Sequence, residues 1–225
     1  MLRRNPRKIG RDKPPTCNIC GLWEEFCVCH LLPQLDSRLR LLLIQHSSEL
    51  LRQSNTGRLV EKMVSPSEIV SWGAENTPFP DDRLQRPGVN CLVLYPRSNS
   101  RVLEPGDLRG DDGAETCLVL LDATWAQAKS MSRRIPGLEK LPFVSLPQEE
   151  TTAWKLRRSP SKGYCCTLEA AYRALSIVEG ESFARPLLLS LELVMAKSLH
   201  MRGKLTKKEM EKIVFPGRLG TTLMR

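Results

Sequence analysis

Several things this chain lacks bound its character. No apolar run approaches the roughly 18 residues of a bilayer-spanning helix. The opening "MLRRNPRKIG" also lacks the apolar stretch of a secretory signal, so a cytoplasmic protein without membrane association is expected. No G-x-G-x-x-G follows a candidate strand and no G-x-x-x-x-G-K-[ST] occurs, which offers neither a dinucleotide fingerprint nor a phosphate-cradling loop. None of the three histidines is placed to serve a nucleophile triad. There is no internal repeat. Acid is scarce relative to base: 25 Asp plus Glu face 34 Lys plus Arg, for a formal charge of +9. That surplus favours a polyanionic partner such as nucleic acid.

What is present reads as one ordinary domain with a small appendage. At 225 residues and 41% hydrophobic, the chain can bury a substantial core. Short apolar runs, "LRLLLIQ" (39–45), "EIVSW" (68–72), "CLVLYP" (91–96), "CLVLLD" (117–122) and "PFVSL" (142–146), predict five strands, several of them buried on both faces. Helices are predicted from about Asn55, from Trp125 to Arg134, and over "TLEAAYRALSIVEG", with Thr167 as its cap and Gly180 at its end. Another is expected after Pro186, and a last one begins at the Thr206/Glu209 capping box. Buried strands alternating with helices argue for an α/β fold with a mainly parallel sheet and flanking helices.

Four of the eight cysteines fall within thirteen residues. Cys17, Cys20, Cys27 and Cys29 form C-x2-C and C-x-C arms, a four-thiolate set suited to tetrahedral zinc, with His30 as an alternative ligand. Four protein ligands leave no open position, so such a Zn2+ is structural. The chain therefore divides into a flexible basic arm (1–13), a small N-terminal zinc knuckle (14–32) and an α/β domain (33–225). Arg3, Arg4, Arg7 and Lys8 in the arm, and Arg157, Arg158 and Lys162 before Thr167, are the residues expected to contact the phosphates of a nucleic acid.

In an open α/β sheet, ligands bind outside the carboxyl ends of the strands. Here those ends carry His46, then Tyr95 and Pro96, then Asp122, Thr124 and Trp125. "DATW" carries the D-x-T-W signature, and flanking pieces recur in order over 17–175: C-x2-C-x6-C-x-C, H-x-x-E followed by "SNTGRL", "LYP", "WKLR" and "TLEAA". On these motifs the sequence resembles the DTW-domain family of tRNA-uridine aminocarboxypropyltransferases, members of the SPOUT-like superfamily. The resemblance implies a trefoil-knotted domain, S-adenosylmethionine as co-substrate and tRNA as acceptor. No protein partner is implied.

The implied reaction moves a 3-amino-3-carboxypropyl group to N3 of a uridine and releases methylthioadenosine. Asn55, Thr56 and Gly57 open a helix whose N–H groups could receive the donor's carboxylate, reinforced by Arg58. By resemblance, Leu94, Tyr95, Pro96, Leu146 and Thr167 contribute to an adenosine site, joined by Thr124 and by Trp125, whose ring could face the sulfonium. Asp122 is the candidate base for the uridine N3 proton, or else a plain helix cap. His46, Glu49 and Glu169 remain open between structural and chemical roles. Two other functions fit the same residues: an RNA methyltransferase, and a non-catalytic zinc-containing RNA-binding module.

Overall fold

A computed structural model of the chain describes residues 14–74, 78–108, 114–147 and 165–214. Six strands form one sheet: β1 (Leu35–His46), β2 (Val64–Trp72), β3 (Val89–Leu94), β4 (Arg101–Val102), β5 (Glu115–Asp122) and β6 (Phe143–Ser145). Their order is β2-β1-β5-β3-β6-β4, and every pairing is parallel. All carboxyl ends therefore share one edge. Among the described residues, five α-helices connect or follow them: α1 (Gly57–Met63), α2 (Trp125–Arg134), α3 (Thr167–Val178), α4 (Glu181–Met201) and α5 (Lys207–Val214).

Strand residues alternate between two apolar layers, as burial on both faces requires. Leu41, Leu43, Leu92, Leu94, Leu118 and Leu120 face α1, α3, α4 and the knuckle. Leu42, Ile44, Cys91, Val93, Cys117 and Val119 face Met131 and Ile135 at α2 together with Leu138. The continuous apolar runs of the sequence come from this three-layer arrangement. The chain leaves β1 for β2 on one side and β5 for β6 on the other, which makes the gap between β1 and β5 the topological switch point.

Some boundaries depart from the sequence reading. β1 begins at Leu35, and the two-residue β4 carried no apolar signal because both its residues are exposed. α4 starts at Glu181, more than a turn before Pro186, which lies inside the helix. Proline removes one helical hydrogen bond there. Burial of Ala184 and the bonds from Tyr172 and Ser176 to the Glu181 carboxylate hold that first stretch in place. Gly180 ends α3 at φ +99°, as the sequence predicts. The Thr206/Glu209 capping box also forms. Residues 148–164, between β6 and α3, lie outside the described residues, and the trefoil knot stays an implication of the resemblance. Among the described residues, no helix is long and apolar enough to cross a membrane.

Candidate active site and metal centre

The side chains at the switch point are polar and almost wholly enclosed. Asp122 ends β5 on the same face as Leu120, opposite Gln45 of β1 in the sheet register, and is only 2% exposed. Its Oδ2 accepts from Gln45 Nε2 at 2.7 Å and from Asn55 Nδ2 at 2.6 Å. Its Oδ1 accepts from the Thr167 hydroxyl at 2.6 Å. Four separate segments thus meet at one carboxylate.

This placement settles what caps α2. Thr124 does so, its hydroxyl accepting from the Gln127 N–H while Gln127 Oε1 accepts from the Thr124 N–H. Asp122 is no helix cap. Thr167 likewise leaves the cap of α3 to Cys166 and spends its hydroxyl on Asp122.

Asn55, Thr56 and Gly57 are buried, and Asn55 and Gly57 lie against Asp122. A Cβ on Gly57 would stand 2.4 Å from Asp122 Oδ2, so only glycine allows this approach. The carboxylate that meets this turn is therefore the protein's own. The Thr56 hydroxyl accepts from the Leu168 N–H at 3.3 Å, tying the start of α1 to that of α3. The Arg58 guanidinium turns away from the strand edge, to the carbonyls of Asn18 and Arg52. That direction does not suit the reinforcing role expected for it.

The apolar part of the edge lies beside this network. The Tyr95 and Trp125 rings pack in a tilted pair, centroids 6.1 Å apart and planes at 35°. The Tyr95 N–H donates to Val144 of β6 at 2.9 Å, which brings the end of β3 beside Leu146. Leu94 belongs to the same core cluster against which Leu146 and Cys166 pack. Pro96 is exposed at the rim. Burial pushes the Cys166 thiol up to about 12, so it stays protonated at neutral pH.

The ambiguous residues resolve into structural partners. His46 Nδ1 accepts from the Ser48 N–H at 3.1 Å, capping the short turn that follows β1. Its ring also meets Trp72 edge-on at 5.8 Å. Glu49 is 1% exposed, lies 3.3 Å from Arg52 Nε, and accepts a long bond of 3.5 Å from Asn55. Glu169 pairs with Arg173 at 2.8 Å within α3. Gln45 is the member of the Asp122 network that sequence reasoning missed. The available signal was a polar residue closing an apolar strand.

At the N-terminus, the sulfur atoms of Cys17, Cys20, Cys27 and Cys29 all lie within 4.8 Å of one another. The Cys17–Cys29 and Cys20–Cys27 separations are 3.7 and 3.8 Å. A metal held by four thiolates at about 2.3 Å requires sulfur–sulfur edges of roughly 3.8 Å, whereas a disulfide needs about 2.05 Å. The cluster fits a tetrahedral metal, and His30 is outside it. Burial alone would raise the Cys17 thiol, but N–H donors of Cys20 and Ile19 and the neighbouring thiols bring it down to about 7. Burial and that neighbour push Cys20 up. Without a cation, one thiolate opposes the next. The RNA-binding candidates Arg3, Arg4, Arg7, Lys8, Arg157, Arg158 and Lys162 lie outside the described residues.

An all-parallel α/β domain with polar chemistry at its switch point and a four-cysteine appendage defines the class. The chain belongs to the DTW domain family, whose model matches residues 14–199. It is 29% identical over 195 residues to tRNA-uridine aminocarboxypropyltransferase 2 of Drosophila melanogaster, covering 80% of this chain and 76% of that protein. It is 30% identical over 190 residues to the Mus musculus protein of the same name, covering 78% of this chain and 62% of the relative. A SAM-dependent rRNA:acp-transferase structure from Vulcanisaeta distributa matches with TM-score 0.48 and 18% identity, covering 77% of this chain and 82% of that one.

Proposed function

We propose that the chain transfers the 3-amino-3-carboxypropyl group of S-adenosylmethionine to N3 of a tRNA uridine, releasing methylthioadenosine. Its four cysteines would hold structural Zn2+. Family membership supports the chemistry. The observation that carries the site is the position of Asp122, on the carboxyl edge of a parallel sheet and one hydrogen bond from the half-buried Thr167.

In this reaction the bond from sulfur to the γ-carbon breaks as the bond from uridine N3 to that carbon forms, and the N3 proton must leave. Asp122 Oδ2 accepts two hydrogen bonds, whereas Oδ1 accepts one among those described. Oδ1 is therefore the oxygen with capacity to spare. The Thr167 hydroxyl stands on that side and can take the N3 proton as it passes its own to Oδ1, leaving Asp122 as a neutral carboxyl. Gln45, Asn55 and Gly57 hold the carboxylate still.

Leu94, Tyr95, Pro96, Thr124, Trp125 and Leu146 line the rest of the donor's site in this reading, with Trp125 packed against Tyr95 and offering an aromatic face to the sulfonium. Orientation of the donor decides which of its three electrophilic carbons reacts, and such positioning can contribute roughly 7–11 kcal/mol. The basic arm and the 157–162 segment would grip phosphates, making affinity fall with salt.

Incubation with unmodified tRNA and S-adenosylmethionine, followed by mass analysis of nucleosides and small molecules, tests this. Methylthioadenosine together with a uridine heavier by the aminocarboxypropyl group is expected. S-adenosylhomocysteine would make the chain a methyltransferase, and neither product would leave a zinc-containing RNA-binding module.

A further inference from the structure

The four-cysteine cluster and the Asp122 carboxylate are about a hundred residues apart in sequence, yet one run of hydrogen bonds joins them. Asn18, between the first two cysteines, offers its carbonyl to Arg58 Nη1. Arg58 Nη2 donates to the Arg52 carbonyl at 2.6 Å. The backbone N–H of the same arginine donates to Asn55 Oδ1 at 3.3 Å, and Asn55 Nδ2 reaches Asp122 at 2.6 Å.

A second grip lies alongside. Gly21 adopts φ +71° against the Gln53 carbonyl, so close that an added Cβ would fall 1.8 Å from that oxygen. Gln53 Nε2 donates to Thr16 Oγ1 at 3.2 Å. Both grips close on residues 52–58, the stretch that carries Asn55 and Gly57 to Asp122. Asn18 sits within the loop that Cys17 and Cys20 anchor, and Gly21 directly follows Cys20 and closes that turn with its N–H on the Cys17 carbonyl at 3.0 Å.

We propose that metal binding at the four cysteines sets the geometry of the active-site carboxylate, with Arg58 as the positioning residue that transmits it. A metal fixes the four sulfurs, the sulfurs fix the loop carrying Asn18 and Gly21, and that loop holds 52–58 where Asn55 and Gly57 seat Asp122. The metal is then more than a clasp for an RNA-gripping appendage. This rests on the reading of the switch point as the S-adenosylmethionine site. Coupling between two binding sites is reciprocal, so the co-substrate must tighten the metal by the factor by which the metal tightens the co-substrate.

The test uses the full chain loaded with zinc. S-adenosylmethionine affinity is measured by calorimetry, and zinc extraction is followed with a chromogenic chelator, with and without S-adenosylmethionine. The expected result is slower extraction when S-adenosylmethionine is present. Arg58→Met, which keeps the aliphatic stem and the backbone N–H, should retain about one metal per chain, bind S-adenosylmethionine about tenfold more weakly, and lose the protection against extraction.

Equal S-adenosylmethionine affinity in wild type and Arg58→Met, or extraction from wild type that ignores S-adenosylmethionine, overturns the coupling while leaving the proposed function standing. A loaded wild type that does not bind S-adenosylmethionine overturns the function itself, and the coupling with it. A chain that takes up no metal overturns the coupling alone. Should Arg58→Met fail to fold, the wild-type extraction comparison decides the matter by itself.

Discussion

The sheet and the knuckle are held together by opposite means. In the sheet, Leu41, Leu43, Ile44, Val93, Leu118 and Val119 are each 0% exposed, and stability accumulates over many apolar contacts. The knuckle buries Cys20, Leu22, Val28 and Leu32 in the core, packs Ile19 and Leu31 against it, and docks on α4 through the Trp23 N–H to Met201 and the Phe26 ring to His200. On the proposed zinc site, its shape depends on four sulfur atoms. A core loses stability in increments as residues are trimmed, whereas a metal centre missing one ligand loses most of its hold. The stretch 52–58 touches both regions, and the candidate active site inherits the tolerance of one and the fragility of the other.

Cys20→Ser should produce the largest effect, removing metal that is worth on the order of 10 kcal/mol of local folding free energy. Limited proteolysis should then cut within 14–32 while circular dichroism still reports the sheet. Loss of the whole fold at 25 °C would break the comparison, by showing that the sheet depends on the knuckle. Leu118→Ala probes the opposite region and should cost about 2–5 kcal/mol in denaturant unfolding. Metal content should stay unchanged.

Asp122→Asn addresses the seam. It keeps an amide oxygen for Gln45 and Asn55 but turns an NH2 group toward the Thr167 hydroxyl, which then has no carboxylate oxygen to receive its proton, so product formation should fall about 100-fold or more. The stability loss should be about 1–3 kcal/mol. Activity within a few-fold of wild type would remove Asp122 from the proton's path.

The smallest effect separates the thiols of the two regions. Burial pushes Cys166 up to about 12, so its thiolate is scarce at pH 8 and its alkylation should accelerate steadily as pH rises toward that value. Burial acts the same way on Cys17, but the N–H donors of Cys20 and Ile19 win and leave it about 7. In metal-free protein at pH 8, peptide mapping after brief iodoacetamide treatment should therefore find Cys17 modified ahead of Cys166. The reverse order would contradict the electrostatics of both sites.

Much of the fold was legible because sheet and helix signals here are local. Leu39–Ile44 and Cys117–Leu121 read as strands from composition alone, and of the α3 stripe Leu168, Ala171, Tyr172 and Leu175 all but Tyr172 are fully buried, the tyrosine being half-buried with its hydroxyl on Glu181. β4 and the first turn of α4 were invisible for the same reason reversed. Val102 is exposed, so its strand pairing left no apolar pattern, and the contacts made by Glu181 and Ala184 come from other parts of the chain.

The candidate site followed the same division. Asp122, Thr124 and Trp125 stood out because a strand end and a helix start adjoin in sequence, yet the distribution of their roles could not be read there. Thr124 and Asp122 are both competent caps for α2. The choice fell to Thr124 because Gln45, Asn55 and Thr167 offer Asp122 three donors from elsewhere.

The order of strands and helices, the four-sulfur cluster and the reactive edge were determined by the sequence itself, through periodicity and spacing that act over a few residues. Tertiary structure alone decided which groups face Asp122, why position 57 must be glycine, and that Arg58 serves the knuckle. Those outcomes are contacts between segments tens of residues apart, and hydrogen bonds of that kind have no signature along the chain until the sheet brings its ends together.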